Sequence, residues 1–304
     1  METIQNLRIY KAGVHFMSPL VLGYIAMSIV LFIWSGFSLT LRSIDSSALT
    51  IADVALIRFL VPSIVLLPWA FSHFKTLQKV TLLDILFILL GGIPFMFLAA
   101  LGAKTVPTAY VGTILAGTPI FFVAIISVLF FAESISKKRL FTLSFILVGI
   151  VIMIVGEPQY FSFEMLIGLS CLFAASIIWA LFAIGLKKIA LKPINMTIIL
   201  SYLSVFIMFF AIWSDIVPSN LGHFSFQQAL PFIVIQGVGI GVVSTLCFSY
   251  AVRQLGVVRS AILGSLSPAV TALLAVPILG ESLSIFIWIG VSLTVIGVVL
   301  SNRY

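Results

Sequence analysis

Apolar residues in this chain fall into long unbroken runs rather than alternating with polar ones. Ten runs stand out, with cores at 18–41, 52–72, 82–103, 107–131, 139–156, 163–187, 196–214, 228–252, 257–279 and 284–302. Each is close to the about 20 residues a helix needs to cross a hydrocarbon core of roughly 30 Å. The breaks are short and polar, as in "RSIDSS", "HFKTLQK", "ESISKKR", "GEPQ" and "KKIALKP", and none can hold a soluble domain. A membrane barrel would need alternating positions in segments of about ten residues, whereas these runs are apolar on every face. The pattern predicts an all-α integral membrane protein of ten transmembrane helices. Arg8, Lys11 and His15 precede the first run as in a secretory signal, but the run is too long and no small-residue cleavage site follows, so the first helix is expected to be retained.

Composition agrees: 62% of residues are hydrophobic, 8% are charged and the mean hydropathy is +1.29, values no soluble surface can accommodate. The charges then orient the helices, because Lys and Arg stay on the cytoplasmic side during insertion. With a cytoplasmic N-terminus, Arg8, Lys11, Lys75, Lys79, Lys137, Lys138, Arg139, Lys187, Lys188, Lys192, Arg253, Arg259 and Arg303 lie inside, against Arg42, Arg58 and Lys104 in the outer half. Both termini are expected to be cytoplasmic, in the inner membrane of the cell. The net charge of +7 is explained by topology, so no nucleic-acid partner is expected.

Two segments echo one another: "LFFAESIS" (129–136) and "PILGESLS" (277–284). The fourth helix runs inward and the ninth outward, so Glu133 and Glu281 fall on opposite faces, which requires an odd number of helices per repeat. Other pairs agree. Trp34, Phe37 and Arg42 match Trp179, Phe182 and Lys187 at constant separation; Gly149 and Gly156 recur at the spacing of Gly290 and Gly297; Thr118-Pro119 recurs as Ser267-Pro268. The expectation is two inverted five-helix repeats, residues 1–157 and 158–304, related by a pseudo-two-fold axis in the membrane plane. Such halves can exchange conformations about a central site, which is the logic of a transporter.

The chain also resembles the drug/metabolite transporter superfamily, in particular its EamA-type members, over nearly its whole length. The resemblance rests on "FIWSGF", "LIRFLVP", "GTILAGTPIFFVAIISVLFFAESIS", "SAILGSLSPAVTALLAVPILGESLS" and the glycine-containing fifth and tenth helices. It implies a ten-helix metabolite carrier, commonly an exporter of amino acids or related small molecules.

Candidate substrate-binding residues follow from depth. Pro119 and Pro268 remove hydrogen bonds to the carbonyls of Leu115 and Gly264 near mid-helix, which either frees those carbonyls for a cavity or merely sets a kink. Trp34 and Trp179 lie well inside their helices rather than at the interface belts, as a cavity wall would require. Phe37 and Phe182, three residues on, would either widen that aromatic lining or pack between helices. Tyr110, Thr113, Thr118, Gln236, Ser244, Thr245, Ser249 and Tyr250, with Ser267, are polar groups at depth, although Ser and Thr often bond back to their own helix. Arg58 either snorkels to the outer interface or meets an anionic substrate group.

No Asp or Glu lies near the middle of a helix, so no coupling carboxylate is evident. Cys171 and Cys247 belong near opposite faces and are not expected to pair. His15, His73 and His223 are scattered, and neither metal nor cofactor is expected. "GVGIGVVS" (237–244) lacks the context of a nucleotide-binding loop and reads as helix packing. Without "GxSxG" or "HExxH" the chain is not read as an enzyme. The expected partners are a small-molecule substrate and membrane lipid. Two alternatives stay open: a carrier of nucleotide sugars or other anionic metabolites, and a non-transporting scaffold. The sequence sets no oligomeric state.

Overall fold

The polar breaks become helix caps. In a computed structural model of the protein, residues 18–72, 80–131, 135–156, 162–189 and 191–302 are described, and every regular element among them is helical. Ser18 accepts from the Val21 amide and Pro19 follows at the first helical position, opening α1 (Pro19–Ser43). Thr50 and Asp53 form a capping box for α2 (Ile51–Val65), which α3 (Leu67–Ser72) continues after a break at Leu66. Pro68, two residues beyond that break, has no amide to donate back to the Ile64 carbonyl. Thr81 and Asp84 repeat the box at α4 (Leu82–Leu90), which Gly91 and Gly92 separate from α5 (Ile93–Thr105).

Single helices follow: α6 (Thr108–Phe131), α7 (Lys137–Gly156), α8 (Phe163–Lys188) and α9 (Pro193–Trp213). The next stretch is composite. It consists of α10 (Phe226–Phe232), a π-helical segment (Ile233–Val243) and α11 (Ser244–Leu255). The chain ends with α12 (Val257–Gly264), α13 (Ser267–Leu279) and α14 (Ile285–Ser301).

Among the described residues, eight stretches are long and apolar enough to cross a membrane: Pro19–Ser43, Leu82–Thr105, Thr108–Phe130, Lys137–Gly156, Phe163–Leu186, Pro193–Trp213, Phe226–Leu255 and Arg259–Leu279. The other two expected spans are shorter, one broken between α2 and α3 and the other the 17 residues of α14. Large apolar side chains such as Phe71, Phe130, Phe163 and Trp213 are exposed along the outside. A chain that turns rings outward while satisfying its backbone within helices is a multi-pass membrane protein.

The core lies where helices distant in sequence meet. α7 packs along α14, α5 and α4 on α8, α1 on α11 and the π segment, and α6 on α8. α2 packs on α9 and the π segment, α13 on both α1 and α6, and α4 on α9. Close approach depends on glycine at the matched positions. A Cβ on Gly149 would lie 2.5 Å from the Gly290 carbonyl oxygen, and one on Gly297 would lie 2.9 Å from the Thr142 carbonyl oxygen. Gly237 and Gly241 let the π segment press on Val61 and Pro62 of α2, so "GVGIGVVS" serves helix packing.

Candidate functional site

Arg58 organises the interior. It stands seven residues into α2, about 10 Å along the helix from its first residue. Its head group does not snorkel: the residue is 7% exposed, and Nη1 donates to Gln236 Oε1 at 2.7 Å. Gln236 Nε2 then donates to Thr40 Oγ1 at 2.8 Å, and that hydroxyl donates to the carbonyls of Gly36 and Phe37. Three elements, α2, the π segment and α1, thus meet through one polar chain. The π register holds Gln236 within it, fully buried, as π turns in helices often do at functional sites. The guanidinium carbon also lies 4.9 Å from the Phe37 ring centroid and 5.8 Å from that of Phe59.

From Phe37 an aromatic run crosses the molecule. Phe37 stacks on Phe95 of α5 at 5.9 Å, Phe95 meets Trp179 at 4.8 Å, and Trp179 meets Phe182 at 5.0 Å. Phe37 and Phe95 are buried, whereas Trp179 and Phe182 are partly open. Trp34 is not in this run. It touches Phe248 at 5.5 Å and packs with Tyr250 against a separate cluster of Ala26, Met27, Val30, Ala251 and Leu255. Trp34 and Phe37 are therefore not one lining: a three-residue step on a helix leaves an offset, and α1 sits where neighbours change from α11 to α5.

The hydroxyls are mostly engaged. Thr113 and Thr118 donate to the carbonyls of Ala109 and Ile114 on their own helix, and Ser244 to that of Ile240. Tyr110 donates to the Met153 carbonyl at 2.6 Å and ties α6 to α7. Ser35 of α1 reaches the Ser267 carbonyl at 3.2 Å. The matched prolines behave differently. α6 runs straight through Pro119, while the other stretch breaks at Ser265–Leu266 and Pro268 sits in the first turn of α13, where it needs no amide partner. Other interruptions fall at Gly91–Gly92 and in the π segment.

At one end of the bundle helix ends are linked by hydrogen bonds. Both carboxylate oxygens of Glu281 accept from the Thr108 amide, at 3.1 and 3.0 Å, and Oε1 also accepts from the Thr108 hydroxyl at 2.6 Å. Arg42 Nε lies 3.8 Å from Glu281, and Arg42 Nη1 donates to the carbonyls of Ala103 and Lys104. Nearby, Asp53 accepts from Ser219 and Asn220. Glu133 lies outside the described residues. At the opposite end a pocket of about 290 Å³ lies between Leu66, Lys192, Thr197, Thr245 and Ser249. Cys171 and Cys247 are free thiols, and no group of three metal-ligating side chains gathers among the described residues.

Residues 166–303 match the family model described as "EamA-like transporter family". That stretch is similar to the family. A solved crystal structure of a protein is similar to almost the whole chain, covering 93% of this one and 96% of its own length at a TM-score of 0.62 and 17% identity. That likeness carries the fold alone. No curated protein matches the sequence. The EamA-like region spans α9 to α14 with most of α8, so it includes Trp179, Phe182, Gln236 and Glu281. Arg58, Thr40 and Phe95 come from the preceding part. In this chain the family likeness of residues 166–303 and the apolar helices together support a membrane transporter. Thr40 and Phe95 are the members of its polar and aromatic chains that sequence reading missed.

Proposed function

We propose that this EamA-like chain is a secondary transporter exporting amino acids or related small metabolites across the inner membrane. In this reading it has ten spans, cytoplasmic termini and two inverted five-helix repeats. The observation that carries it is the pairing of helices. Number the ten stretches in order, so that a repeat adds five to each number. The contact of three with six then maps onto eight with one, four with six onto nine with one, and two with eight onto seven with three. Two with seven, four with nine and five with ten map onto themselves, and all these contacts are present. Side chains follow the same rule: Trp179 of stretch six meets Phe95 of stretch three, as Trp34 of stretch one meets Phe248 of stretch eight. Matched interfaces allow two halves to exchange conformations, and the bonded Glu281 end with a pocket opposite supports one of the two end states.

Two experiments test this. In a background lacking Cys171 and Cys247, Ser136→Cys and Ser282→Cys are expected to react with an impermeant maleimide from opposite sides of the membrane; reaction of both from one side overturns the inverted repeat. In proteoliposomes, counterflow of a panel of labelled amino acids is expected in both directions, with Trp179→Ala and Trp34→Ala each reducing it strongly while folded protein persists. Equal loss of folded protein in both variants makes them packing residues. Exchange confined to nucleotide sugars or phosphorylated compounds replaces the amino-acid reading with its alternative, and no exchange at all removes the transport reading.

A further inference from the structure

A cation at membrane depth is costly unless something neutralises it, because the hydrocarbon and packed helices around it supply little dielectric. Arg58 is such a cation. Among the described residues its only side-chain hydrogen-bond partner is the neutral amide of Gln236, although a guanidinium carries five N–H donors in a planar fork. No described carboxylate forms an ion pair with it. The nearest acid on its own helix, Asp53, is five residues away and is already engaged by Thr50, Ser219 and Asn220. The faces of Phe37 and Phe59 lend partial stabilisation, which is smaller than that of an ion pair. The charge is held rigidly, by the Gln236–Thr40 relay on one edge and by rings on its face, with donors left over.

We infer that Arg58, set by Gln236 and Thr40, is the binding subsite for a single carboxylate, and that the run Phe37, Phe95, Trp179 and Phe182 receives a flat apolar body attached to it. This rests on the transport reading and narrows its substrate class to small organic monocarboxylates. The charge arithmetic selects the class. Arg58 is the only buried cation among the described residues, so a carboxylate of charge −1 leaves the site neutral. A diphosphate or phosphate dianion would leave net negative charge at depth. The two arms are also the right kind of neighbours, because Phe37 lies against the guanidinium and begins the aromatic run.

The test is a set of matched probes titrated into the purified full chain in nanodiscs, followed by tryptophan fluorescence: 3-phenylpropionate against 3-phenylpropan-1-ol, 4-phenylbutyrate against 4-phenylbutan-1-ol, and phenyl phosphate. The carboxylates are expected to bind at least tenfold more tightly than the matched alcohols, and phenyl phosphate more weakly than the carboxylates. Arg58→Gln is expected to abolish the carboxylate preference while leaving the affinity for the alcohols unchanged. Arg58→Lys, which keeps the charge but not the fork, should lose at least fivefold for carboxylates alone. It is also the variant to read should Arg58→Gln not fold, as judged by circular dichroism. Retention of the preference in the glutamine variant, a parallel loss for acids and alcohols in the lysine variant, tightest binding by phenyl phosphate, or no binding of the series to folded protein each overturns the inference. Counterflow separates this from the broader reading: if labelled metabolites exchange while the carboxylate preference ignores Arg58, only the subsite falls.

Discussion

Gly290→Leu is expected to cost about 3 kcal/mol or more of stability and to empty the monodisperse fraction of purified protein on mild heating. The reason is contact with backbone rather than with yielding side chains. A Cβ on Gly290 would press on the Gly149 carbonyl oxygen and on Met153, and one on Gly149 would press on the Gly290 carbonyl oxygen and Thr294. α7 and α14 can admit a leucine only by moving apart along their length, and Gly156 against Phe286 and Gly297 against Ile146 resist that movement at two further turns. Within a bilayer no hydrophobic gain offsets such separation, because lipid tails are as apolar as the side chains they replace, so packing itself holds the pair. Gly149→Leu should act alike. The double variant should cost less than the sum of the two, since one displacement relieves both clashes. Val148→Leu, on the exposed face one residue away, is the control expected to change nothing. Thermal unfolding in detergent measures all four, and wild-type stability in Gly290→Leu would show that the seam is not tight.

These glycines were legible because helix packing in membranes leaves a one-residue signature, a small side chain at a fixed spacing. The caps were not read from the sequence: Thr50 with Asp53, Thr81 with Asp84 and Ser225 with Gln228 straddle the starts of the apolar runs, where one polar side chain inside the run passes unnoticed. Interruptions were harder to read. Pro119 and Pro268 signal a break from composition, yet α6 continues through the first. The π register of Ile233–Val243 has no such signal, because widening a helix by one residue per turn changes neither hydropathy nor glycine content. Pairings across the chain were harder still. Arg58 and Gln236 were each conspicuous alone, but 178 residues separate them. Thr40 looked like any threonine that bonds back to its helix, which it does while also accepting from Gln236. Phe95 was one of 27 phenylalanines, and nothing local distinguishes the one that bridges Phe37 to Trp179.

Glu281→Ala is expected to open the end of the bundle that Glu281 now closes. Its carboxylate caps the start of α6 through the Thr108 amide and hydroxyl and neutralises Arg42, which in turn holds the last turn of α5 through the carbonyls of Ala103 and Lys104. One side chain thus ties α13, α6, α1 and α5 together, and an anion at a helix N-terminus gains from the helix dipole as well as from its hydrogen bonds. Losing hydrogen bonds to a charged acceptor costs on the order of 2 kcal/mol in the closed state only. If the open state does not make these contacts, the open-to-closed ratio rises about thirtyfold by the same energy. Glu281→Gln can still accept from Thr108 but cannot neutralise Arg42, so it should fall between. Ala109 is fully buried beside the cap. Ala109→Cys, in a background lacking Cys171 and Cys247, should react with an impermeant maleimide from that side slowly with Glu281 present and many times faster with alanine in its place. Counterflow should slow in the same variant, because the closed state is reached less often. Unchanged labelling in a folded Glu281→Ala protein would mean that the contacts at this end are capping alone and that closure is held elsewhere, with the Asp53 bonds to Ser219 and Asn220 the next to remove.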